Sequence, residues 1–127
     1  MEQRDDPFEE LIALCARDRL LHHPHATGEG VSVCIIDSGL EANILETRAG
    51  ERGHSMIPIQ GGIFVAGKNE PLPYQGKQST PHGTTVADII LTIAPNVQLF
   101  SADIFGPQGS CDVEVLIQAL HWAVEVW

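Results

Sequence analysis

Residues 31–40 read VSVCIIDSGL, and how this stretch is read decides the fold. From Val31 to Ile36 only Ser32 is polar, so the run has no wet face. A strand apolar on both faces belongs in the middle of a parallel sheet covered by helices. The run then ends on Asp37, Ser38 and Gly39. An acid that follows a strand is most simply a turn residue or the cap of the next helix. In open parallel sheets, however, sites gather at the carboxyl ends of strands, and Asp37 stands at such an end. Gly39 lets the backbone turn sharply behind it.

The remaining composition bounds what this strand can belong to. A chain of 127 residues is one domain at most, or a piece of a larger one. A hydrophobic content of 43% suffices for a packed core and excludes a disordered chain. The formal charge of −10 argues against nucleic acid or an anionic membrane as a partner, since both need clustered Lys and Arg. No run approaches the length of a membrane span. The acidic opening, MEQRDDPFEE, lacks the basic and apolar regions of a signal peptide and reads as a solvated leader. Cys15, Cys34 and Cys111 are odd in number and lack metal-ligand spacing, which points to reduced thiols in a cytoplasmic chain. Cys34 reads as a small core residue. His22, His23 and His25 cluster across a proline break, a pattern closer to a solvated linker than to a metal site. No metal and no cofactor are expected.

Outward from the strand, Phe8, Leu11, Ile12 and Cys15 recur at helical spacing and predict a helix over residues 7–22. Proline and glycine in HHPHATGEG (22–30) end it. GIFVA (62–66) is a second, weaker strand. Residues 67–81 carry three prolines and two glycines, a long loop of the kind that shapes a site. Thr80 as N-cap and Pro81 at the first helical position then open a helix whose buried face is marked by Val86, Ile89, Ile90 and Ile93. VQLFSADIF (97–105) is a third strand, GPQGS (106–110) turns out of it, and a last helix runs from about Asp112 to the end. Glu114, Gln118, His121 and Glu125 form its only polar stripe. Val113, Leu116, Ile117, Leu120, Val124 and Trp127 line one apolar face, and Val115, Ala119, Trp122 and Val126 are apolar as well. So narrow a polar stripe predicts a helix buried on most sides in a larger body.

TPHGTTVADII (80–90) places His82 in the first turn of its helix. The positive end of the helix dipole disfavours the imidazolium and helps keep the ring basic. A lone histidine at a helix start is usually a surface or capping residue. A strand-end carboxylate preceding it in the same α/β pattern raises its interest.

With these segments in order, the chain over residues 20–127 resembles the N-terminal part of a subtilisin-like serine protease, or subtilase. TGEGVSVCIIDSGL resembles the family's lead-in, first core strand and catalytic-Asp motif; HGTTVADII resembles its catalytic-His motif, usually HGTHVAG. IAPNVQLFSADIFGPQGSCDVEVLIQALHWAV follows the next strand, turn and helix without a gap. The resemblance implies an α/β fold of three layers with a mostly parallel central sheet, present here as an incomplete front portion. The periodicity makes residues 1–22 a helical leader, and the resemblance implies 23–127 as the first part of a peptidase domain. Asp37 becomes the orienting carboxylate and His82 the general base. Gly109, Ser110 and Cys111 correspond to the family's Gly-Ser-Gly edge segment, which pairs with substrate backbone as an added strand. Read without the resemblance, Gly109 and Ser110 are equally a turn and helix lead-in.

The departures are specific. Pro81 stands where the family usually has Gly, Thr85 replaces its second His, Asp88 its helix Gly, and Cys111 the last Gly of the edge segment. ILTIAPNVQ crosses directly from helix to strand where many relatives insert a calcium loop, so no calcium is expected there. The family's nucleophilic serine lies in a G-T-S-x-A segment that this sequence lacks, and in this family its loss costs on the order of a millionfold in turnover. The expected activity is therefore peptide-bond hydrolysis by a triad of which this chain carries Asp37 and His82. Its expected partners are a peptide or protein substrate and the remaining C-terminal part of the peptidase domain. Two alternatives stay open: a non-catalytic peptide-binding module on a partial subtilase fold, and a dimeric aspartic protease using the Asp37-Ser38-Gly39 motif. The aspartic version needs two carboxylates sharing one proton and an almost all-strand fold, against a second half that reads helix, strand, helix.

Overall fold

The computed structural model describes residue 9, residues 26–106 and residues 111–126. All but Glu9 of the helix expected over 7–22, and the histidines at 22, 23 and 25, lie outside the described residues. The apolar run forms β1 (Ser32–Asp37), followed by α1 (Ala42–Glu51), β2 (Gln60–Ile63), β3 (Leu72–Pro73), α2 (Pro81–Ile93), β4 (Gln98–Asp103) and α3 (Val113–Val126). The strands make one sheet in the order β1-β4-β2-β3. β4 is parallel to β1 and β2 on either side of it, and only the short β3 runs antiparallel at the edge. Pro73 is tolerated there because an edge strand has one side without ladder bonds.

The central position of β4 explains its composition. Leu99 through Asp103 are all buried, because each face of the strand meets a helical layer. On one face Ile35 and Leu99 pack with Leu40 and Leu45, with Ala87 and Leu91 of α2, and with Val97. On the other, Ala102 and Ile104 pack with Phe64 and with Val115 and Ala119 of α3. Trp122 of α3 closes this second core edge-on to Phe64 and Phe100, at ring-centroid distances of 5.4 and 6.3 Å. The result is three layers, helices α1 and α2, the sheet, then α3, with a mostly parallel sheet between. Since β1, β4 and β2 run the same way, Asp37, Asp103 and Ile63 end at one edge.

Several expectations need correction. The apolar run, expected in the middle of the sheet, is an edge strand among the described ones with only Ile35 buried, and β4 takes the central place; the weaker strand lies at 60–63 rather than 62–66. Gly61 sits inside the sheet, where a Cβ would run into the Ser101 carbonyl oxygen, and after Phe64 N–H donates to Asp103 O the chain turns away. Helix α1 was not legible, since only Leu45 and Ala49 are buried on it and Glu41, its N-cap, makes no side-chain capping bond. In α2 the buried residues are Gly83, Thr84, Ala87 and Leu91. Val86 and Ile90 pack at the margin of the core, while Ile89 and Ile93 are exposed. In α3 Val115, Ala119 and Ala123 are buried, whereas Val113, Leu116, Ile117, Leu120 and Val124 are exposed. Both helices press their small residues against the sheet, because small side chains let the backbones come close. No helix among the described residues is long and apolar enough to cross a membrane.

Candidate active site at the carboxyl edge of the sheet

β1 delivers Asp37 to the carboxyl edge, and the first turn of α2 brings His82 to meet it. His82 Nδ1 lies 2.7 Å from Asp37 Oδ2, while Ser38 N–H donates to Asp37 Oδ1 at 2.7 Å. The two carboxylate oxygens are therefore divided between the backbone behind and the imidazole in front. The Asp37 side chain is 18% exposed and that of His82 is 73% exposed. A carboxylate accepting from Nδ1–H selects the tautomer whose Nε2 keeps its lone pair, so the pair presents a base to the open side.

The local fold makes this meeting close. Gly39 has φ 82, a left-handed turn, and a Cβ on it would come 2.9 Å from Lys77 O. A Cβ on Gly83 would come 2.5 Å from Gly39 O. Two glycines, one in each motif, thus allow the turn after β1 and the start of α2 to touch. The helix cap also comes from across this contact. Thr80 has extended N-cap geometry but caps nothing with its own side chain. Ser38, buried in the turn, does the work instead: its Oγ accepts from Gly83 N–H at 3.2 Å and from Thr80 Oγ1 at 2.7 Å, and donates to Thr80 O at 3.1 Å. Ser38 was missed as a positioning group because its partners lie more than forty residues along the chain, beyond any local motif.

The second half of the long loop is laced to the same turn. Ser79 N–H donates to Ser38 O, Ala42 N–H to Gly76 O, and Tyr74 Oη to Leu40 O. Glu41 accepts from Gln78 N–H at 3.0 Å and from Lys77 Nζ at 3.1 Å, which holds its carboxyl below the usual carboxylate range. Burial, with the charges of Glu41 and Glu46, pushes the Tyr74 phenol up to about 12. Thr84 Oγ1 accepts from Glu41 N–H and donates to Gln78 Oε1. Asp103, buried at the end of β4 beside Asp37, accepts from Ser79 Oγ, Phe105 N–H and Gly106 N–H. It carried no signal in the sequence, where it reads as one acid in an apolar strand.

The substituted family positions have plain local roles. Thr85 Oγ1 donates back to Pro81 O, and Asp88 pairs with Arg52 at 2.6 Å and Arg48 at 3.6 Å, tying α2 to α1. Cys111 is half-buried against the second core, with its Sγ–H directed to Asp112 O at 3.2 Å. Gly109 and Ser110 lie outside the described residues. Cys34 packs on the same core, and burial pushes its thiol up to about 11. Among the described residues no three metal-ligating side chains come together. The structure thus joins Asp37 to His82.

Comparison with known proteins follows these motifs. The chain is 33% identical over 112 residues to an alkaline protease of Alkalihalobacillus alcalophilus, covering 80% of this chain and 25% of that protein. It is 32% identical over 112 residues to Subtilisin Savinase of Lederbergia lenta, covering 80% and 36%. Against Subtilisin E of Bacillus subtilis it is 31% identical over 114 residues, covering 82% and 26%. No protein-family model matches. The chain is related to the subtilisin-like protease family over about four fifths of its length. The matched region spans only about a quarter to a third of these relatives.

Proposed function

We propose that this chain supplies the Asp–His half of a subtilisin-like serine endopeptidase. The observation that carries the reading is the 2.7 Å contact between His82 Nδ1 and Asp37 Oδ2 at the carboxyl edge of a parallel sheet. In the proposed reaction Asp37 holds the Nδ1–H tautomer, and His82 Nε2 takes the proton of a serine hydroxyl from a segment outside this sequence. The serine oxygen attacks the peptide carbonyl, and the resulting imidazolium, stabilised by Asp37, gives its proton to the departing amine. Water then repeats the sequence on the acyl-enzyme. Neither Ser38 nor Ser79 suits the role, because their hydroxyls are engaged in holding the turn. The substrate class is a peptide or protein, drawn from what the relatives are named for. Cys111, with Gly109 and Ser110, is proposed to edge the substrate strand.

On this reading the 127 residues alone are nearly inert, and the rest of the peptidase domain covers the exposed apolar face of α3. A fluorophosphonate probe, which labels only an activated serine, tests the reading on this chain joined to the remainder of its gene product. Labelling that disappears in His82→Ala supports it. A labelled subtilase control beside an unlabelled product refutes it and leaves the peptide-binding module. Inhibition by a pepstatin-type compound, with activity confined to acid pH, is the outcome that favours the aspartic alternative.

A further inference from the structure

Resting on that protease reading, we propose that Asp103 is a positioning residue that sets how His82 approaches Asp37. The two acids are register partners on adjacent parallel strands, so their side chains leave the same face at the same edge. Asp37 reaches out to His82, whereas Asp103 is only 3% exposed and turns its carboxylate into the protein. There it touches the loop before α2, the turn after β1 and the exit from β4. Oδ2 accepts from Ser79 Oγ, three residues ahead of His82. The same oxygen lies 3.0 Å from where a Cβ on Gly39 would be, against the turn that follows Asp37. Oδ1 accepts from Phe105 N–H and Gly106 N–H, each at 3.0 Å, and so closes the exit from β4.

Burying a carboxylate is costly unless its lone pairs are met, and here they are met by neutral donors. No ion pair among the described residues involves Asp103, so its role is to gather donors from two segments, the loop before α2 and the exit from β4, into one fixed point. Ser79 is the arm that matters for His82. Its N–H is bonded to Ser38 O and its hydroxyl to Asp103, which pins the backbone immediately before α2 from both sides. Release of that arm lets the start of α2 drift along the sheet edge, and a displacement of about 1 Å costs on the order of a hundredfold in rate at a reacting centre.

The geometry distinguishes hydrogen bonding from charge. In Asp103→Asn the amide oxygen can still accept from Phe105 and Gly106, while the amide nitrogen donates to a reversed Ser79 hydroxyl, so the tie survives. In Asp103→Ala it is lost, and in Ser79→Ala only the arm toward His82 is lost. The first readout is the tautomer of His82 in the 127-residue chain, from long-range proton–nitrogen NMR spectra above the imidazole titration range. The parent and Asp103→Asn are expected to show the Nδ1–H form, and Asp103→Ala and Ser79→Ala a shift towards the Nε2–H form. Val115→Ala, which weakens the core beneath α3, is expected to leave the tautomer unchanged. The second readout is the fluorophosphonate labelling rate of the full-length product, expected to fall on the order of a hundredfold in Asp103→Ala and to be restored in Asp103→Asn. Should Asp103→Ala fail to fold, Ser79→Ala carries the test alone. An unchanged tautomer in a folded Ser79→Ala overturns the positioning role while the protease reading stands. An unlabelled parent overturns the protease reading, while the tautomer still decides the role of Asp103.

Discussion

The carboxyl end of β4 and the helix across the sheet from it face opposite kinds of surroundings. At its carboxyl end the chain is saturated with polar contacts: Asp37, Ser38, Ser79, Thr80, Gly83 and Asp103 satisfy one another in a knot of backbone and side-chain bonds. Across the sheet, α3 buries Val115, Ala119 and Ala123 and leaves larger apolar side chains outside, with Val113 and Val124 both more than 70% exposed. The first region is complete in itself and the second is not. The completeness of the polar edge shows that the Asp–His contact is held by segments of this chain that lie far apart in sequence. The open apolar helix face is where the fold has the most to gain from a neighbour.

The largest effect that can break this contrast concerns the pair itself. In the full-length product, Asp37→Asn is expected to lower fluorophosphonate labelling by about ten-thousandfold, because an amide at that position favours the wrong imidazole tautomer. Labelling at the parental rate would sever the pair from any chemistry.

Next come the close approaches. Gly83→Ala sets a Cβ against Gly39 O and is expected to cost about 1–3 kcal/mol of stability in chemical denaturation. Ala119→Leu overfills the contact between α3 and the sheet and belongs in the same range. If either is neutral, the tight packing described for that layer is wrong.

A smaller effect follows from ionisation. Burial favours the neutral thiol of Cys34 and the neutral phenol of Tyr74, with folded values of about 11 and about 12 against ordinary values of 9.0 and 10.0. Both groups ionise first in the unfolded chain, so the stability they contribute is whole below pH 9 and drains as pH rises towards 12. The thermal midpoint of the chain is expected to fall over that window, and Cys34→Ser with Tyr74→Phe is expected to flatten the fall. At the acid side Glu41 acts with the opposite sign: its contribution is present above its ordinary 4.5 and is lost as pH drops below it.

The smallest effect belongs to the open face. Replacing Ile117 and Leu120 by Gln in the 127-residue chain is expected to change stability by no more than about 0.5 kcal/mol for each site, as at an exposed position. The same pair in the full-length product is expected to be clearly destabilising. Equal effects in both backgrounds would remove the argument that a neighbour covers this face.

Much of this layout was legible from residues alone, and the exceptions have one physical origin. The run at 31–36 announced a parallel strand because it has no polar face, although among the described strands it lies at the edge of the sheet with only Ile35 buried, and Pro81 announced the start of α2. A strand-end acid and a helix-start histidine are each ordinary alone, and Asp37 and His82 stood out through the resemblance of their segments to the family's Asp and His motifs. What periodicity misjudged was which side of a helix is buried. Both α2 and α3 carry more apolar residues than their buried faces use, and then close approach decides, which favours Gly83, Ala87, Ala119 and Ala123 over the larger Ile89, Ile117 and Leu120. Ser38 and Asp103 stayed silent because their meaning lies in bonds to segments distant in sequence. Helix α1 stayed silent because two buried residues in ten are too faint a stripe.

The central claim is that Asp37 orients His82 within this chain, and the tautomer of the His82 ring tests it most directly. Long-range proton–nitrogen NMR spectra of the 127-residue chain above the imidazole titration range are predicted to show the proton on Nδ1. In Asp37→Ala it is predicted to move largely to Nε2. A parent ring already protonated on Nε2, or a ring indifferent to the loss of Asp37, would contradict the account.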